Sequence, residues 1–334
     1  MISEGEKMKK KSKGKKALKI ILAVFIIYLL LTVSIFTIVT VYLNKINRAE
    51  DVVPVSPEDE FFDVDDGVTS DYEIDPDDIV WNPGMDLQDE ALLNILLVGQ
   101  DRREGEGRQR SDSMILCSFN SETNELALVS FLRDLYVQIP GYSDNRLNAA
   151  YAFGGFPLLK ETLYKNFGVT VDGCVEVDFG GFKKVIDTVG GVDINLTQAE
   201  AKIVGGGATE GVNHLNGERA LTYARIRYID SDFGRTERQR NVINAIIEKM
   251  RNRSVSELMN FVDSVLPMIT TDMSNAQIVK YALQYAPALK ELNVNTYHVP
   301  SEGRYQYAKV RGMSVLIPDI PNIRRDLKEK YLPF

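Results

Sequence analysis

Residues 92–131, LLNILLVGQDRREGEGRQRSDSMILCSFNSETNELALVSF, decide the fold of this 334-residue chain. They contain three short apolar runs of strand length, Leu92–Val98, Ser113–Phe119 and Leu126–Phe131. The polar turn Asn120–Glu125 separates the last two runs, as expected between neighbouring strands. We therefore expect three buried strands here and consider an up-down-up meander as their arrangement.

Outside this stretch, strand-like apolar runs alternate with helical patterns. Strands are expected at Cys174–Phe179 and Val192–Leu196 and near Asn295–Val299 and Val310–Ile317; helices are expected after Pro157, over Phe182–Val189, and from Thr236 as N-cap with Gln239 at capping-box spacing. The alternation predicts an α/β protein with a mixed central β-sheet flanked by helices. Because no internal repeat is visible, we assign residues 92–334 to one domain.

The charges are distributed unevenly along the chain. Residues 1–19 contain eight Lys and two Glu, whereas residues 49–100 contain sixteen acidic residues and no Lys or Arg. Between them, Ile20–Leu43 has 24 residues without a charge, enough for a helix of about 36 Å across a bilayer core of ~30 Å. We predict a basic cytoplasmic tail (1–19), a transmembrane helix (20–43) and an acidic extracellular stalk (44–91) that extends by self-repulsion.

This interpretation places the chain in the plasma membrane, with a single span, a cytoplasmic N-terminus and an extracellular domain. A cleaved signal peptide is the alternative interpretation of the apolar stretch. It is less favoured because the stretch is long for a signal peptide and no small-residue cleavage site follows it.

The composition excludes several functional classes. With two His and two Cys in the whole chain, a zinc cluster or a His-based catalytic triad is not expected. Residues 101–334 contain equal numbers of basic and acidic residues, so the positive excess of a nucleic-acid-binding protein is absent. Cys117 and Cys174 lie in apolar runs, where buried free thiols and a disulfide are both consistent with the sequence.

A meander of the first three strands would bring charged residues together at one edge of the sheet. The end of the first strand, the start of the second and the end of the third would meet there. These points carry Asp101, the triplet Arg110-Ser111-Asp112 and the pair Arg133-Asp134. Two or three carboxylates would then lie beside two guanidinium groups, provided that the first two strands are antiparallel.

The two segments richest in Arg contain no Lys. They are residues 102–110, with four Arg, and residues 219–240, with six. The planar guanidinium group binds phosphate in a bidentate manner, which the Lys ammonium cannot do. Arg235, Arg238 and Gln239 also lie at a predicted helix N-terminus, which favours an anion. A pyrophosphate site is one interpretation, and a set of surface Arg paired with local acids is the other.

Asp101 and Asp112 provide oxygen ligands suited to Mg²⁺, which proteins typically bind through one or two carboxylates and substrate phosphates. The ion would neutralise charge during phosphoryl transfer, and one Asp could accept a proton from an attacking hydroxyl. The competing interpretation is a salt-bridge network between these Asp and neighbouring Arg.

At these residues the chain resembles the LytR-CpsA-Psr family of cell-envelope phosphotransferases. The matching motifs, in order, are Gly99-Gln-Asp101-Arg-Arg103, Arg110-Ser-Asp112-Ser-Met114, Arg133-Asp134, Asn148-Ala-Ala-Tyr151, Ala224-Arg225-Ile-Arg227 and Asp232-Phe-Gly-Arg235-Thr-Glu-Arg238-Gln239. Each motif alone is weak, but their order and spacing together are specific. The resemblance covers about Leu92 to Arg251 and implies a LytR-CpsA-Psr-like catalytic domain.

The resemblance implies an enzyme that transfers an anionic glycopolymer, such as teichoic acid or a capsular chain, from a polyprenyl-pyrophosphate carrier to a peptidoglycan hydroxyl. It implies Mg²⁺ as cofactor, with Asp101 and Asp112 handling the metal or the acceptor proton, and Arg110 and Arg133 as further catalytic residues. The implied pyrophosphate ligands are Arg103, Arg225, Arg227, Arg235, Arg238 and Gln239. Candidates for an apolar lipid tunnel are Leu158, Leu159, Leu163, Phe167, Phe182 and Ile186.

Two other functions remain open from the sequence. The same site could pass the phosphoryl group to water, which would make the protein a polyprenyl-pyrophosphate hydrolase. The family's older label of transcriptional attenuator suggests a non-enzymatic envelope regulator. The sequence contains no DNA-binding motif that would support direct regulation, and no nucleic-acid partner is expected.

Overall fold

The computed structural model describes residues 37, 39–41, 43–49, 54–57, 61–62, 72–81, 86–87, 91–100, 109–227, 229–251, 253–285 and 290–334. The chain divides into two compact units, Met1–Lys45 and Ile46–Phe334. In the first unit the described residues 37, 39–41 and 43 are helical, and the Asn44 amide donates to the Thr40 carbonyl at 2.9 Å.

A seven-stranded mixed sheet forms the centre of the second unit. Its strands, in chain order, are β1 (Asn47–Arg48), β2 (Leu92–Gln100), β3 (Ser111–Asn120), β4 (Glu125–Phe131), β7 (Gly173–Asp178), β10 (Thr270–Thr271) and β11 (Asn293–Val299). Their order across the sheet is β1-β10-β7-β2-β3-β4-β11. Strands β2, β3 and β4 are antiparallel neighbours, whereas β7 runs parallel to β2, and β11 parallel to β4. The predicted mixed sheet is confirmed, and the meander considered for the first three strands is present.

Three two-stranded sheets surround the central one. They are β5 (Tyr136–Val137) with β6 (Asn145–Arg146), β8 (Val192–Leu196) with β9 (Gly211–Leu215), and β12 (Tyr305–Val310) with β13 (Met313–Pro318). The turn of the last hairpin uses left-handed backbone at Arg311 and Gly312, with φ of 49° and 77°. The apolar segment predicted near Val310–Ile317 therefore starts in one strand and continues in the next.

Helices cover both faces of the central sheet. They are α1 (Leu147–Phe167), α2 (Phe179–Thr188), α3 (Gln198–Val204), α4 (Gly217–Ala224), α5 (Asp232–Arg251), α6 (Val255–Val265), α7 (Asn275–Tyr285) and α8 (Ile320–Asp326). Leu96 and Val98 belong to the same core cluster as Phe153 of α1. Ile115 and Leu128 instead form a cluster that packs against Ile243 of α5, so alternate strand residues serve opposite faces.

Helix α1 begins earlier than the sequence predicts. The expected start after Pro157 holds for its second half, but residues 147–154 are also helical. Gly155 joins the two parts with φ 63° and ψ −151°, a conformation that a residue with a Cβ rarely adopts. The sequence does not predict the helix before Pro157, because Gly154, Gly155 and Pro157 are residue types that usually end a helix.

Helix α5 also begins earlier than predicted, at Asp232. Thr236 is therefore not its N-cap: the Thr236 hydroxyl donates to the Phe233 carbonyl at 2.9 Å inside the first turn. Because the start moves by one turn, Arg235, Arg238 and Gln239 lie within the helix and not on its free N–H groups.

Described parts of the acidic segment lie against the domain instead of extending away from it. The Val55 amide donates to the Phe153 carbonyl at 2.8 Å, and the Leu87 amide to the Gly168 carbonyl at 2.9 Å. The Trp81 indole donates to Asp144 at 2.8 Å. The apolar residues spaced among the acids explain this packing, since their burial is favourable whatever the charge around them. The boundaries assigned to the tail, the span and the stalk remain predictions.

Among the described residues, no helix is both long and apolar enough to span a membrane. Most of the predicted span 20–43 lies outside those residues. The two cysteines are free thiols, so the disulfide alternative is not realised. Burial raises the pKa of Cys117 to about 12 and also raises the pKa of Cys174.

Candidate active site

The edge of the meander carries a carboxylate held between two guanidinium groups. Strand β2 ends where β3 begins, with Gln100 opposite Ser111. Arg133, just after β4, donates from Nη1 to Asp112 Oδ1 at 2.8 Å, and Arg227 Nη2 lies 3.6 Å from the same oxygen. The meander thus brings Asp112 and Arg133 together as predicted, and Arg227 joins them from the loop after α4.

The predicted residues Asp101 and Arg103 lie outside the described residues. So do their neighbours through residue 108. Their assigned roles therefore stay predictions. Arg110 is described: its guanidinium group stacks over the Phe61 ring at 4.8 Å.

An apolar cavity of about 320 Å³ lies between the sheet and the helices α2, α4 and α5. Its apolar walls include Leu97, Ile115, Val175, Val177, Phe179, Phe182, Val185, Leu221, Ile243, Ile246 and Ile247. Its charged and amide lining consists of Asp112, Arg225, Arg227, Arg235 and Gln239. Since Asp112 and Arg227 are in contact, this polar lining gathers where β3 starts. The cavity therefore combines an apolar chamber with a cationic wall.

Two buried polar groups on this wall lack hydrogen-bond partners among the described residues. They are Nε of Arg235, a residue 2% exposed, and Oε1 of Gln239. Burial lowers the pKa of Arg235, although its Nη1 lies 2.6 Å from Asp232 Oδ1. Buried groups without partners are rare and call for an explanation, and an anionic ligand would supply one. Arg225 completes the wall, with its guanidinium group over the Phe179 ring at 4.4 Å.

Arg238 does not line the apolar cavity, contrary to the predicted pyrophosphate role. Its guanidinium group donates to Glu200 at 2.7 Å, to the Ile226 carbonyl at 3.1 Å and to Asp230. Burial alone would lower the pKa of Arg238, but the bonds to Asp230 and Glu200 raise it. The side chain is buried and each of its three nitrogens already has an acceptor, so it ties α3 to α5.

The tunnel candidates separate into three groups. Phe182 lines the apolar cavity, whereas Leu158, Leu159, Leu163 and Phe167 belong to the core cluster on the opposite face of the sheet. Ile186 is fully buried in a third location, the cluster that includes Val192 and Leu215. These five assignments are corrected because α1 packs on the other side of the sheet, and because Ile186 points away from the cavity into its own cluster. The residues that do line the cavity come mainly from β2, β3, β7 and α5.

A second, larger cavity of about 680 Å³ shares Asp112 with the first. Its lining is Arg110, Asp112, Leu132, Arg133, Asp134, Arg146, Asn148, Ser231, Asp232, Phe233, Tyr307, Ser314, Val315 and Leu316. No site role was predicted for Asp134, Asn148 or Asp232, although all three belong to the quoted motifs. Membership of those motifs was the signal that could have found them. Ser314 lies in Gly312-Met-Ser-Val315, a looser match to the family, whereas Tyr307 carries no such signal because the β12–β13 hairpin places it here.

A pair of carboxyl groups lies in this larger cavity. Asp134 and Asp232 are hydrogen-bonded to each other, and Arg133 Nε and Arg146 Nε lie 3.5 and 3.6 Å from Asp134. Burial raises the pKa of Asp134 despite the two Arg. Burial would also raise the pKa of Asp232, but Arg235 and the bond from Asp134 hold it below its ordinary value. Asp134 is therefore the member that retains a proton to higher pH.

The described residues provide only some of the ligands that a magnesium site needs. No group of three or more His, Cys, Asp or Glu side chains suited to a metal occurs among them. Asp112 alone supplies one carboxylate beside the cationic wall. One or two carboxylates together with substrate phosphates are the usual Mg²⁺ ligands, so this arrangement fits an ion that arrives with a phosphorylated substrate.

Three relatives extend this picture. The chain is 33% identical over 224 residues to the regulatory protein MsrR of Staphylococcus aureus, covering 66% of this chain and 68% of that protein. It is 36% identical over 213 residues to the polyisoprenyl-teichoic acid–peptidoglycan teichoic acid transferase TagU of Enterococcus faecalis, covering 61% and 69%. The crystal structure of Bacillus subtilis TagV superposes with a TM-score of 0.57 at 28% identity, covering 74% of this chain and 100% of that one.

The fold and the cationic, apolar site define an α/β protein of the class represented by these relatives. The family model described as LytR_cpsA_psr matches residues 64–330. The chain belongs to the LytR_cpsA_psr family, which confirms the resemblance drawn from the sequence motifs.

Proposed function

We propose that the protein is a phosphotransferase that moves an anionic glycopolymer from a polyprenyl-pyrophosphate carrier to a hydroxyl of peptidoglycan. The observation that supports this most directly is the apolar cavity with its wall of Arg225, Arg227 and Arg235. A chain of hydrocarbon needs an apolar chamber, and a diphosphate needs several guanidinium groups beside it. TagU, similar in sequence to this chain, is named a polyisoprenyl-teichoic acid–peptidoglycan teichoic acid transferase, which agrees with this chemistry.

In the proposed reaction the prenyl chain occupies the apolar cavity and the pyrophosphate lies against the cationic wall. The acceptor oxygen forms a bond to the phosphorus that carries the glycopolymer. The bond from that phosphorus to the bridging oxygen breaks, and polyprenyl phosphate leaves with the electron pair. Arg227, Arg235 and Arg133 would stabilise the negative charge on the phosphoryl oxygens as this bond breaks.

Asp112, together with Asp101 in the segment outside the described residues, would hold Mg²⁺. When bound, the ion would neutralise negative charge on the two phosphates during transfer. We also propose the localisation expected from the sequence, with residues 20–43 spanning the plasma membrane and the domain outside. The donor lipid and the site would then be on the same side of the membrane.

The experiment uses the full chain in detergent with Mg²⁺, a radiolabelled polyprenyl-pyrophosphate-linked glycopolymer and a peptidoglycan acceptor. We expect label in the peptidoglycan with wild type and none with Arg227→Ala. Arg253→Ala is the matched control, since Arg253 pairs with Glu257 at 2.9 Å on the exposed surface of the helical region. Intact donor with wild type would contradict the proposal. Label released to solution without acceptor labelling would instead establish a hydrolase.

A further inference from the structure

The larger cavity contains buried polar atoms that nothing in the described structure satisfies. Asn148 is 4% exposed, and its Oδ1 has no hydrogen-bond partner among the described residues. The Ser314 hydroxyl, on the facing hairpin, is likewise buried without a partner in the described part of the chain. A carbonyl acceptor and a hydroxyl lining one cavity suit a ligand that presents several hydroxyl or amide groups.

Aromatic rings form another part of the same cavity. Tyr307 is 48% exposed, and Phe233 lies beside it; their rings are linked through Tyr305 at centroid distances of 5.2 and 5.3 Å. An exposed aromatic surface beside hydrogen-bonding groups fits a molecule with one apolar and one polar side. A pyranose ring has this character, because its C–H groups and hydroxyls point in different directions. The cavity is also less apolar than the one assigned to the prenyl chain.

The carboxyl pair lies within this cavity, next to the cationic wall. Asp134 is held by its backbone as well as by its neighbours, since the Leu316 amide donates to its carbonyl at 2.9 Å. Asp112 is less open to a substrate hydroxyl than Asp134, because its Oδ1 already accepts a hydrogen bond from Arg133 at 2.8 Å and lies 3.6 Å from Arg227. The Nε atoms of Arg133 and Arg146 lie 3.5 and 3.6 Å from Asp134 oxygens, which are ion-pair distances and not short hydrogen bonds.

We propose that the larger cavity binds the acceptor sugar of the reaction, and that Asp134, paired with Asp232, removes the proton from the attacking sugar hydroxyl. This inference rests on the proposed transferase function and assigns the proton acceptor to Asp134 in place of Asp101 or Asp112. The hydroxyl proton moves to an Asp134 oxygen as the hydroxyl oxygen bonds to phosphorus. The ring packs on Tyr307, and the other hydroxyl and amide groups bind Asn148 and Ser314.

The charged and titratable groups that face the pair are Arg133, Arg146, Asp232 and, on the same cavity, Arg110, Asp112 and Tyr307. A carboxyl group with a raised pKa is a stronger base once ionised, so activity should rise with pH as Asp134 loses its proton. A variant without this base should not show the increase in activity with pH.

The kinetic test compares Asp134→Asn with wild type in the full chain. We expect Asp134→Asn to lower kcat at least ~100-fold, to flatten the acidic limb of the pH profile, and to leave donor Kd within about twofold, which is the range for loss of a general base. The control is Asp144→Asn, because burial also raises the pKa of Asp144 but its partner is Trp81 and it lines neither cavity. Asp144→Asn should match wild type. Equal transfer by Asp134→Asn and wild type would overturn the proposal.

The binding test separates this inference from the proposed function, because it needs no transfer. A soluble β-1,4-linked N-acetylhexosamine oligosaccharide is titrated into the full chain by NMR or calorimetry. We expect Tyr307→Ala and Asn148→Ala each to weaken its binding about tenfold, with binding of polyprenyl pyrophosphate unchanged. Loss of donor binding in Tyr307→Ala, or no oligosaccharide binding by wild type, would contradict the sugar site. Oligosaccharide binding without any donor cleavage would leave the sugar site standing and remove the transferase function.

Discussion

The two cavities lie on either side of Asp112 and differ in how they can recognise a molecule. The apolar cavity of about 320 Å³ is walled by aliphatic and aromatic side chains with its cations on one side. The cavity of about 680 Å³ is lined by carboxyl, amide, hydroxyl and guanidinium groups with two aromatic rings. The first can select by apolar burial, which is strong and non-directional, and the second by hydrogen bonds, which are directional. A reaction between a lipid-linked donor and a sugar acceptor requires both kinds of recognition.

The largest expected effect is on the wall of the apolar cavity. Arg235→Ala should lower transfer about 10²–10³-fold, because a preorganised donor facing the developing phosphate charge is removed. Arg240→Lys provides a control in the same helix, since Arg240 donates to Ser130 at 2.7 Å and lines neither cavity. If Arg235→Ala transferred at the wild-type rate, Arg235 would contribute no more to the reaction than other residues of α5.

The second effect concerns stability and should leave both cavities intact. Glu200→Gln should lower the free energy of unfolding at pH 7 by about 1.5–3 kcal/mol, because one hydrogen bond of the buried Arg238 then reaches a neutral acceptor, while the bond to Asp230 remains. Hydrogen bonds from Thr197 and Arg238 overcome burial and lower the pKa of Glu200 in the folded protein. Its contribution to stability is therefore present above the unfolded pKa near 4.3 and is lost as pH falls through the lower folded pKa.

Thermal unfolding of wild type and Glu200→Gln between pH 3 and pH 8 tests this sign. The difference in Tm should be largest at neutral pH and should shrink towards pH 3. A constant difference across this range would show that the charge of Glu200 contributes nothing. Specific activity per folded molecule should stay at the wild-type value.

A smaller effect is expected from filling the apolar cavity. Val175→Phe, on β7, should reduce use of long-chain donors about tenfold and affect short-chain donors little, because the added ring occupies the space of the chain end. Competition between donors of two chain lengths measures the ratio directly. Equal losses for both lengths would mean that the chain does not enter this cavity.

The smallest effect is expected on the surface that joins α2 and α4 beside the apolar cavity. Lys183 lies 3.0 Å from Glu218, and both side chains are exposed. Lys183→Ala should change the free energy of unfolding by less than about 1 kcal/mol, as is usual for exposed ion pairs. Chemical denaturation would detect a larger loss, which would show that the position of α2 depends on this contact.

The sequence was most informative where short-range patterns determine structure. The apolar runs between residues 92 and 131 predicted three strands and their meander, because each is short, apolar and bounded by polar turns. The meander in turn predicted that Asp112 and Arg133 would lie together. The motif order also identified the family, since those residues are spaced by the same fold that the relatives share.

Other features depend on packing that no local pattern contains. Helix α5 begins at Asp232, one turn before the N-cap predicted at Thr236. The motif predicts that Arg238 holds a ligand, but its guanidinium group instead pairs with acids on α3 and in the loop before α5. The tunnel candidates on α1 are as apolar as the true cavity lining, and only the side of the sheet on which a helix packs distinguishes them. The larger cavity needed the hairpin at residues 305–318, which is remote in sequence.

One consequence of the sheet topology concerns how the protein is made. Strand β11, at residues 293–299, pairs in parallel with β4, at residues 125–131. Contacts between such distant segments slow folding, because a long loop must close before the pairing is formed. Until residue 299 has been synthesised and β11 has paired with β4, that edge of β4 presents unpaired backbone donors and acceptors to other chains. A nascent or truncated polypeptide that stops short of this point should therefore self-associate, and its rescue would require a chaperone that covers that edge.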